Sequence, residues 1–90
     1  MTLPLGRCVA TPGAIRTLEE AGVSPASLLA RHSRGGDDGE LSESDRQANE
    51  HAVKHGLRVL SSYRLRTGEK IWIVTECDRS MTTILLPEEY

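Results

Sequence analysis

Leu57-Arg58-Val59-Leu60-Ser61-Ser62-Tyr63-Arg64-Leu65-Arg66-Thr67-Gly68-Glu69-Lys70-Ile71-Trp72-Ile73-Val74-Thr75-Glu76 is the stretch whose reading decides the fold. Leu57, Val59, Ser61, Tyr63 and Leu65 alternate with Arg58, Leu60, Ser62, Arg64 and Arg66, the period of a strand with unlike faces. Thr67-Gly68 breaks the pattern, and a second run follows from Lys70 to Glu76. Two hairpin registers compete. A two-residue turn pairs Tyr63 with Trp72 but sets Ile71 and Ile73 on the face of Arg58 and Arg64. A three-residue loop, with Gly68 left-handed, pairs Tyr63 with Ile71 and Ser61 with Ile73. Only the second gathers Leu57, Val59, Tyr63, Leu65, Ile71 and Ile73 on one face, whose burial is worth on the order of 10 kcal/mol before entropy is subtracted. The three-residue loop is therefore expected.

Outward from this hairpin, Asp78-Arg79-Ser80 reads as a second turn and Met81 to Leu86 as a third strand that Pro87 ends. Toward the N-terminus, Leu5 to Ala10 is a short candidate strand. Thr11-Pro12 starts a helix, with Thr11 as cap and Ile15, Leu18 and Ala21 at helical spacing until Gly22. Ser24-Pro25 repeats the device, with Leu28 and Leu29 as the buried face. Arg34 to Glu40, with three glycines and three acids, reads as an exposed loop. A third helix is expected from Ser42 to His55: Glu43 and Asp45 suit its first turn, Lys54 and His55 its last, and Gly56 its end. Its apolar stripe is thin, comprising Ala48, Ala52 and Val53. The expected fold class is α+β: an N-terminal short strand and three short helices packed on one face of a C-terminal three-stranded antiparallel meander. The 90 residues form one domain.

Composition narrows the function. With no Phe, one Trp and two Tyr, the core must rest on Leu, Ile, Val and Ala. The formal net charge of −2 supplies no global field toward nucleic acid. The N-terminal residues hold no signal-peptide pattern, and no stretch approaches the roughly 20 apolar residues of a membrane span. The two cysteines, Cys8 and Cys77, make no disulfide framework; a cytoplasmic location with reduced, buried, inert thiols is expected. His51 and His55 lie four apart on one helix face, yet zinc needs further ligands that the neighbouring sequence does not offer. Ala10-Thr11-Pro12-Gly13 lacks the second Gly and the Lys-Ser/Thr pair of a phosphate loop. No paired-carboxylate or nucleophile pattern is present, so the sequence assigns no catalytic residue, no cofactor and no metal, and the chain reads as a non-enzyme.

What the register does imply is a binding face. It puts Trp72, Leu60 and Val74 opposite the core together with Arg58, Arg64, Arg66 and Lys70. Trp and Arg dominate protein-binding hot spots; the same pair also stacks on and neutralises single-stranded nucleic acid. The third possibility is that the N-terminal strand, the C-terminal tail or a second subunit covers Trp72. Asp78 and Arg79 most simply fix their turn and otherwise offer a second contact. The expected site is Trp72 as anchor beside Leu60, with Arg64, Arg66 and Lys70 as rim. A monomer and a homodimer both remain open.

Val9-Ala10-Thr11-Pro12-Gly13-Ala14, Leu60-Ser61-Ser62-Tyr63, Lys70 to Glu76, Asp78-Arg79-Ser80 and Thr83 to Tyr90 together resemble a family of small bacterial proteins of plasmids and integrated mobile elements. Such proteins are labelled plasmid-related, and some are labelled a modification subunit of a type I restriction enzyme. Many members carry a Trp where this chain has Asp37-Asp38-Gly39. The resemblance implies a context, mobile DNA in bacteria, and carries no catalytic residue across. The chain has neither the doubly wound cofactor domain nor the Asn/Asp-Pro-Pro-Tyr motif of a DNA methyltransferase.

Overall fold

The computed structural model describes residues 4–33, 51 and 54–90. The chain enters through strand β1 (Arg7–Ala10), then helices α1 (Pro12–Ala21) and α2 (Pro25–His32). Strands β2 (Val59–Arg64), β3 (Lys70–Thr75) and β4 (Met81–Leu85) follow, closed by a 3-10 turn at Pro87–Glu89.

The hairpin forms in the register with the larger buried face: Tyr63 lies opposite Ile71 and Ser61 opposite Ile73. Leu65 N–H donates to Glu69 O at 2.8 Å and Gly68 N–H to Leu65 O at 2.9 Å. Gly68 adopts φ +92, a conformation that side-chain-bearing residues rarely take. Val59, Tyr63, Leu65, Ile71 and Ile73 are all buried. Leu57, expected among them, is 48% exposed, because it precedes β2 and has no cross-strand partner there.

The expected three-stranded antiparallel meander with three helices is overturned. The described sheet has four strands in the order β1-β4-β3-β2 and is mixed: β3 runs antiparallel to both β2 and β4, whereas β1 pairs parallel to β4 through Arg7↔Met81 and Ala10↔Ile84. A parallel neighbour requires a long crossover, and the chain between β1 and β4 supplies it through both helices and the hairpin. Gly6 (φ +63) permits the approach: a Cβ there would stand 2.4 Å from the Arg79 carbonyl oxygen. Two helices stand among the described residues. The third, expected over Ser42 to His55, lies largely outside them; His51, Lys54 and His55 have helical conformation. The Arg34–Glu40 loop also lies outside the described residues.

Helix α1 begins as its sequence dictates. Thr11 Oγ1 accepts from Ala14 N–H at 3.1 Å. Gly22, at φ +69, ends the helix, with Val23 N–H donating back to Leu18 O at 3.0 Å. The buried stripe is Ala14, Thr17, Leu18 and Ala21, while Ile15, expected inward, is 43% exposed. Ala14 rather than Ile15 lies on the buried stripe. In α2 Ser24 makes no side-chain cap bond; its carbonyl instead accepts from Ser27 N–H and Oγ–H. Ala14, Leu18, Ala21 and Leu28 from the helices form one cluster with Tyr63, Leu65, Ile71, Ile73 and Ile84. Both helices thus cover the same face of the sheet. Among the described residues, the C-terminal turn lies on the opposite face.

Candidate binding face

Alternation along the strands places Trp72 and Val74 of β3, Thr83 and Leu85 of β4, Val9 of β1 and Leu60 and Ser62 of β2 on the outer face. Val74 and Leu85 are buried and Trp72 is half-buried. The cover comes from the C-terminus: Tyr90 meets Trp72 edge-on at 5.6 Å between ring centroids, with the rings at 67°. Tyr90 itself is 61% exposed. The sequence alternatives of an open Trp72 and one covered by the C-terminal tail are therefore each met in part.

Glu89 holds this cover in place. Its Oε1 accepts from Thr11 Oγ1–H at 2.6 Å and from Leu86 N–H at 2.8 Å. These bonds, the Thr11 hydroxyl first, hold the Glu89 carboxyl below its ordinary pKa. Thr11 thereby donates to Glu89 while capping α1, so the start of α1 and the end of the chain are one bonded unit. The carboxylate also lies by the positive end of α1, where negative charge is favoured; a Cβ on Gly13 would stand 2.8 Å from its Oε2.

Between the turn and the sheet lies an open hollow of about 240 Å3, lined by Val74, Glu76, Thr83, Leu85, Glu89 and Tyr90. Its floor is apolar and fixed by two antiparallel ladders. Arg58 closes one side: Nε stands 3.7 Å from Glu76 Oε1, and its Nη1 donates to the Tyr90 hydroxyl. The ion pair is exposed and worth little by itself.

The residues expected to form the site separate into three groups. Trp72, Leu60, Arg64 and Lys70 share the outer face, with exposed Arg64 directly opposite exposed Lys70. Arg66 does not join them. Its Nη2 lies near Gly22, a Cβ at which would be 3.3 Å away, at the negative end of α1, where a cation is favoured. Asp78 and Arg79 fix the β3–β4 turn. Asp78 Oδ1 accepts from Ser80 Oγ–H at 2.6 Å and Ser80 N–H at 3.0 Å, and these bonds lower the carboxyl pKa. Arg79, at φ +61, donates from Nη1 to the carbonyls of Leu57 (2.6 Å) and Glu76 (3.1 Å).

Cys8 and Cys77 are exposed rather than buried, a correction; Cys8 faces the helix side of an edge strand and Cys77 sits in a turn. His51 and His55 are exposed, with ring centroids 4.2 Å apart. Among the described residues no three His, Cys, Asp or Glu gather as a metal site, and no helix is long and apolar enough to cross a membrane.

No motif or period of the sequence marks His32. It is fully buried, and its Nδ1 lies 2.6 Å from Ser61 Oγ and its Nε2 2.8 Å from Thr75 Oγ1. The available signal was Ser61, Thr75 and Thr82, polar residues at core-facing positions of three strands, which require a buried partner. His32, four residues after Leu28 on the inner stripe of α2, was placed to supply it.

Compared with protein-family models, with curated proteins and with solved structures, the chain matches none.

Proposed function

We propose that this chain is a non-enzymatic binding module that takes a protein partner on the outer face of its sheet. The observation that carries the reading is the asymmetry of cover. Among the described residues, two helices cover one face, whereas the other presents Trp72 and an apolar-floored hollow beneath a 3-10 turn. A half-buried aromatic beside a rigid pocket is the usual composition of a protein-binding hot spot. Arg58, Arg64 and Lys70 around it suit a partner that offers an apolar anchor flanked by carboxylates. The family resemblance adds the context of an accessory protein of a bacterial mobile element.

The single-stranded nucleic acid reading is weaker. Glu76 stands beside Arg58, and Tyr90 already packs against the Trp72 ring that bases would need for stacking.

The test is retention of partners on the immobilised chain across salt concentrations, with Trp72→Ala and Thr83→Arg alongside. The reading expects a protein retained at high salt and lost from both variants, since Thr83→Arg fills the hollow. Retention limited to single-stranded nucleic acid, and falling steeply with salt, would move the function to the alternative. Equal retention by all three chains would remove the face from consideration.

A further inference from the structure

His32, Ser61, Thr75 and Thr82 are all 0% exposed, and they join in a line. Beyond the two contacts of the His32 ring, Thr75 Oγ1 lies 2.8 Å from Thr82 Oγ1, and Thr82 Oγ1 donates to the Leu5 carbonyl at 2.7 Å. Each hydroxyl has one hydrogen to give, and that count orders the chain. The Leu5 carbonyl can only accept, so the Thr82 hydrogen is committed to it. The Thr75–Thr82 contact must then use the Thr75 hydrogen. Thr75 has none left for His32, so Nε2 carries the ring proton and donates to Thr75. Nδ1 is left bare and accepts from Ser61.

We infer that Ser61, His32, Thr75, Thr82 and the Leu5 carbonyl form a one-way hydrogen-bond chain that fixes His32 as the neutral Nε2–H tautomer, a proton-sensitive latch joining α2, three strands and the segment that enters β1. The direction makes the latch asymmetric. A second ring proton goes on Nδ1, against Ser61, whose hydrogen must turn away to another acceptor. The half running through Thr75 and Thr82 to Leu5 already has the polarity a protonated ring needs and is unchanged.

The surroundings keep that proton off at neutral pH. Burial pushes the His32 pKa down to about 4. Hydroxyls meet the ring from β2 and β3, and a third hydroxyl from β4 continues the line. On α2, Arg31 lies over the Tyr63 ring at 4.8 Å. Just past β3, Glu76 follows Thr75 but lines the hollow on the opposite face. Among the described residues no carboxylate is in hydrogen-bond or ion-pair contact with the imidazole to stabilise its charge.

Long-range proton–nitrogen correlation spectra of the whole chain test this. At pH 7 His32 is expected with a protonated Nε2 and a bare Nδ1, unchanged down to pH 5 while an ordinary imidazole charges. On further acidification the Ser61 signals should move further than those of Thr82 and Leu5, all with the His32 midpoint. Thr82→Val removes both the acceptor for Thr75 and the donor to Leu5. The Thr75 hydrogen then becomes available to Nε2, so an Nδ1–H population should appear, whereas Thr82→Ser should keep the original tautomer. A wild-type Nδ1–H ring, a midpoint near 6.5, or a tautomer indifferent to Thr82→Val would each overturn the chain. Should Thr82→Val fail to fold, the wild-type spectrum and Thr82→Ser still decide it.

Discussion

Strand β3 lives in two environments at once. Ile71, Ile73 and Thr75 point beneath the helices and are 0% exposed. Trp72, between the two isoleucines, is half-buried and meets Tyr90 of the C-terminal turn. On the inner side apolar packing is close and every polar group of the His32 chain has its partner. On the outer side the hollow beside Val74 and Leu85 is lined by Glu76, Thr83, Glu89 and Tyr90, with no residue of α1 or α2 among the described lining. One face of the strand therefore carries the packed core, and the other carries the face proposed for a partner.

The largest effect should come from the inner face. Ile73→Ala is expected to lower unfolding free energy by roughly 2–5 kcal/mol in urea titrations, as large-to-small changes in packed cores do; a loss below about 1 kcal/mol would mean that the helices do not seal this face. Next is acid. Unfolded His32 takes up a proton at its ordinary pKa of 6.5 but folded His32 only at about 4, so the unfolded chain binds more protons between those values. Stability is then flat above pH 6.5, falls as pH drops toward 4, and this contribution stops changing below it. The loss is on the order of 3 kcal/mol. His32→Gln should flatten that segment of the urea midpoint–pH curve, and an unaltered slope would assign it elsewhere. Asp78 and Glu89, with lowered pKa values, add losses only in the more acidic range where carboxylates take up protons.

The seam between the faces is weaker. Thr11→Ala removes both the α1 cap and the hydroxyl held by Glu89, and should cost roughly 1–2 kcal/mol. Hydrogen exchange should also quicken at Leu86 and Glu89, and an unchanged rate there would separate the turn from the helix. Smallest is Tyr90→Ala. It removes an edge-on ring pair worth about 0.5–1 kcal/mol and should shift Trp72 emission to the red without changing the far-ultraviolet spectrum.

The contrast between the faces was legible in the sequence because turn and period agreed. Gly68 specified the loop, and the loop specified which side of β3 went inward. Other parts had weaker signals. Four residues of β1 give a strand but no direction, and its parallel pairing is decided by a neighbour some 70 positions later, Arg7 against Met81. Helical spacing pointed to Ile15 on the buried stripe, whereas the packed helix buries Ala14 and leaves Ile15 exposed. Arg66 follows the alternation on paper, but the hairpin turn carries it to the end of α1. The rim therefore keeps Arg64 and Lys70 and loses Arg66. His32 escaped notice because a lone histidine carries no periodic signal, and its partners come from three strands distant in sequence.

The claim that the outer face is open to a partner is tested most directly by acrylamide quenching of Trp72, the only tryptophan, over a wide range of protein concentration. An open face gives emission intermediate between buried and free indole, readily quenched, and the same at every dilution. Blue-shifted emission that acrylamide cannot reach at any concentration would mean that Trp72 is sealed within the fold, and the binding face would not exist.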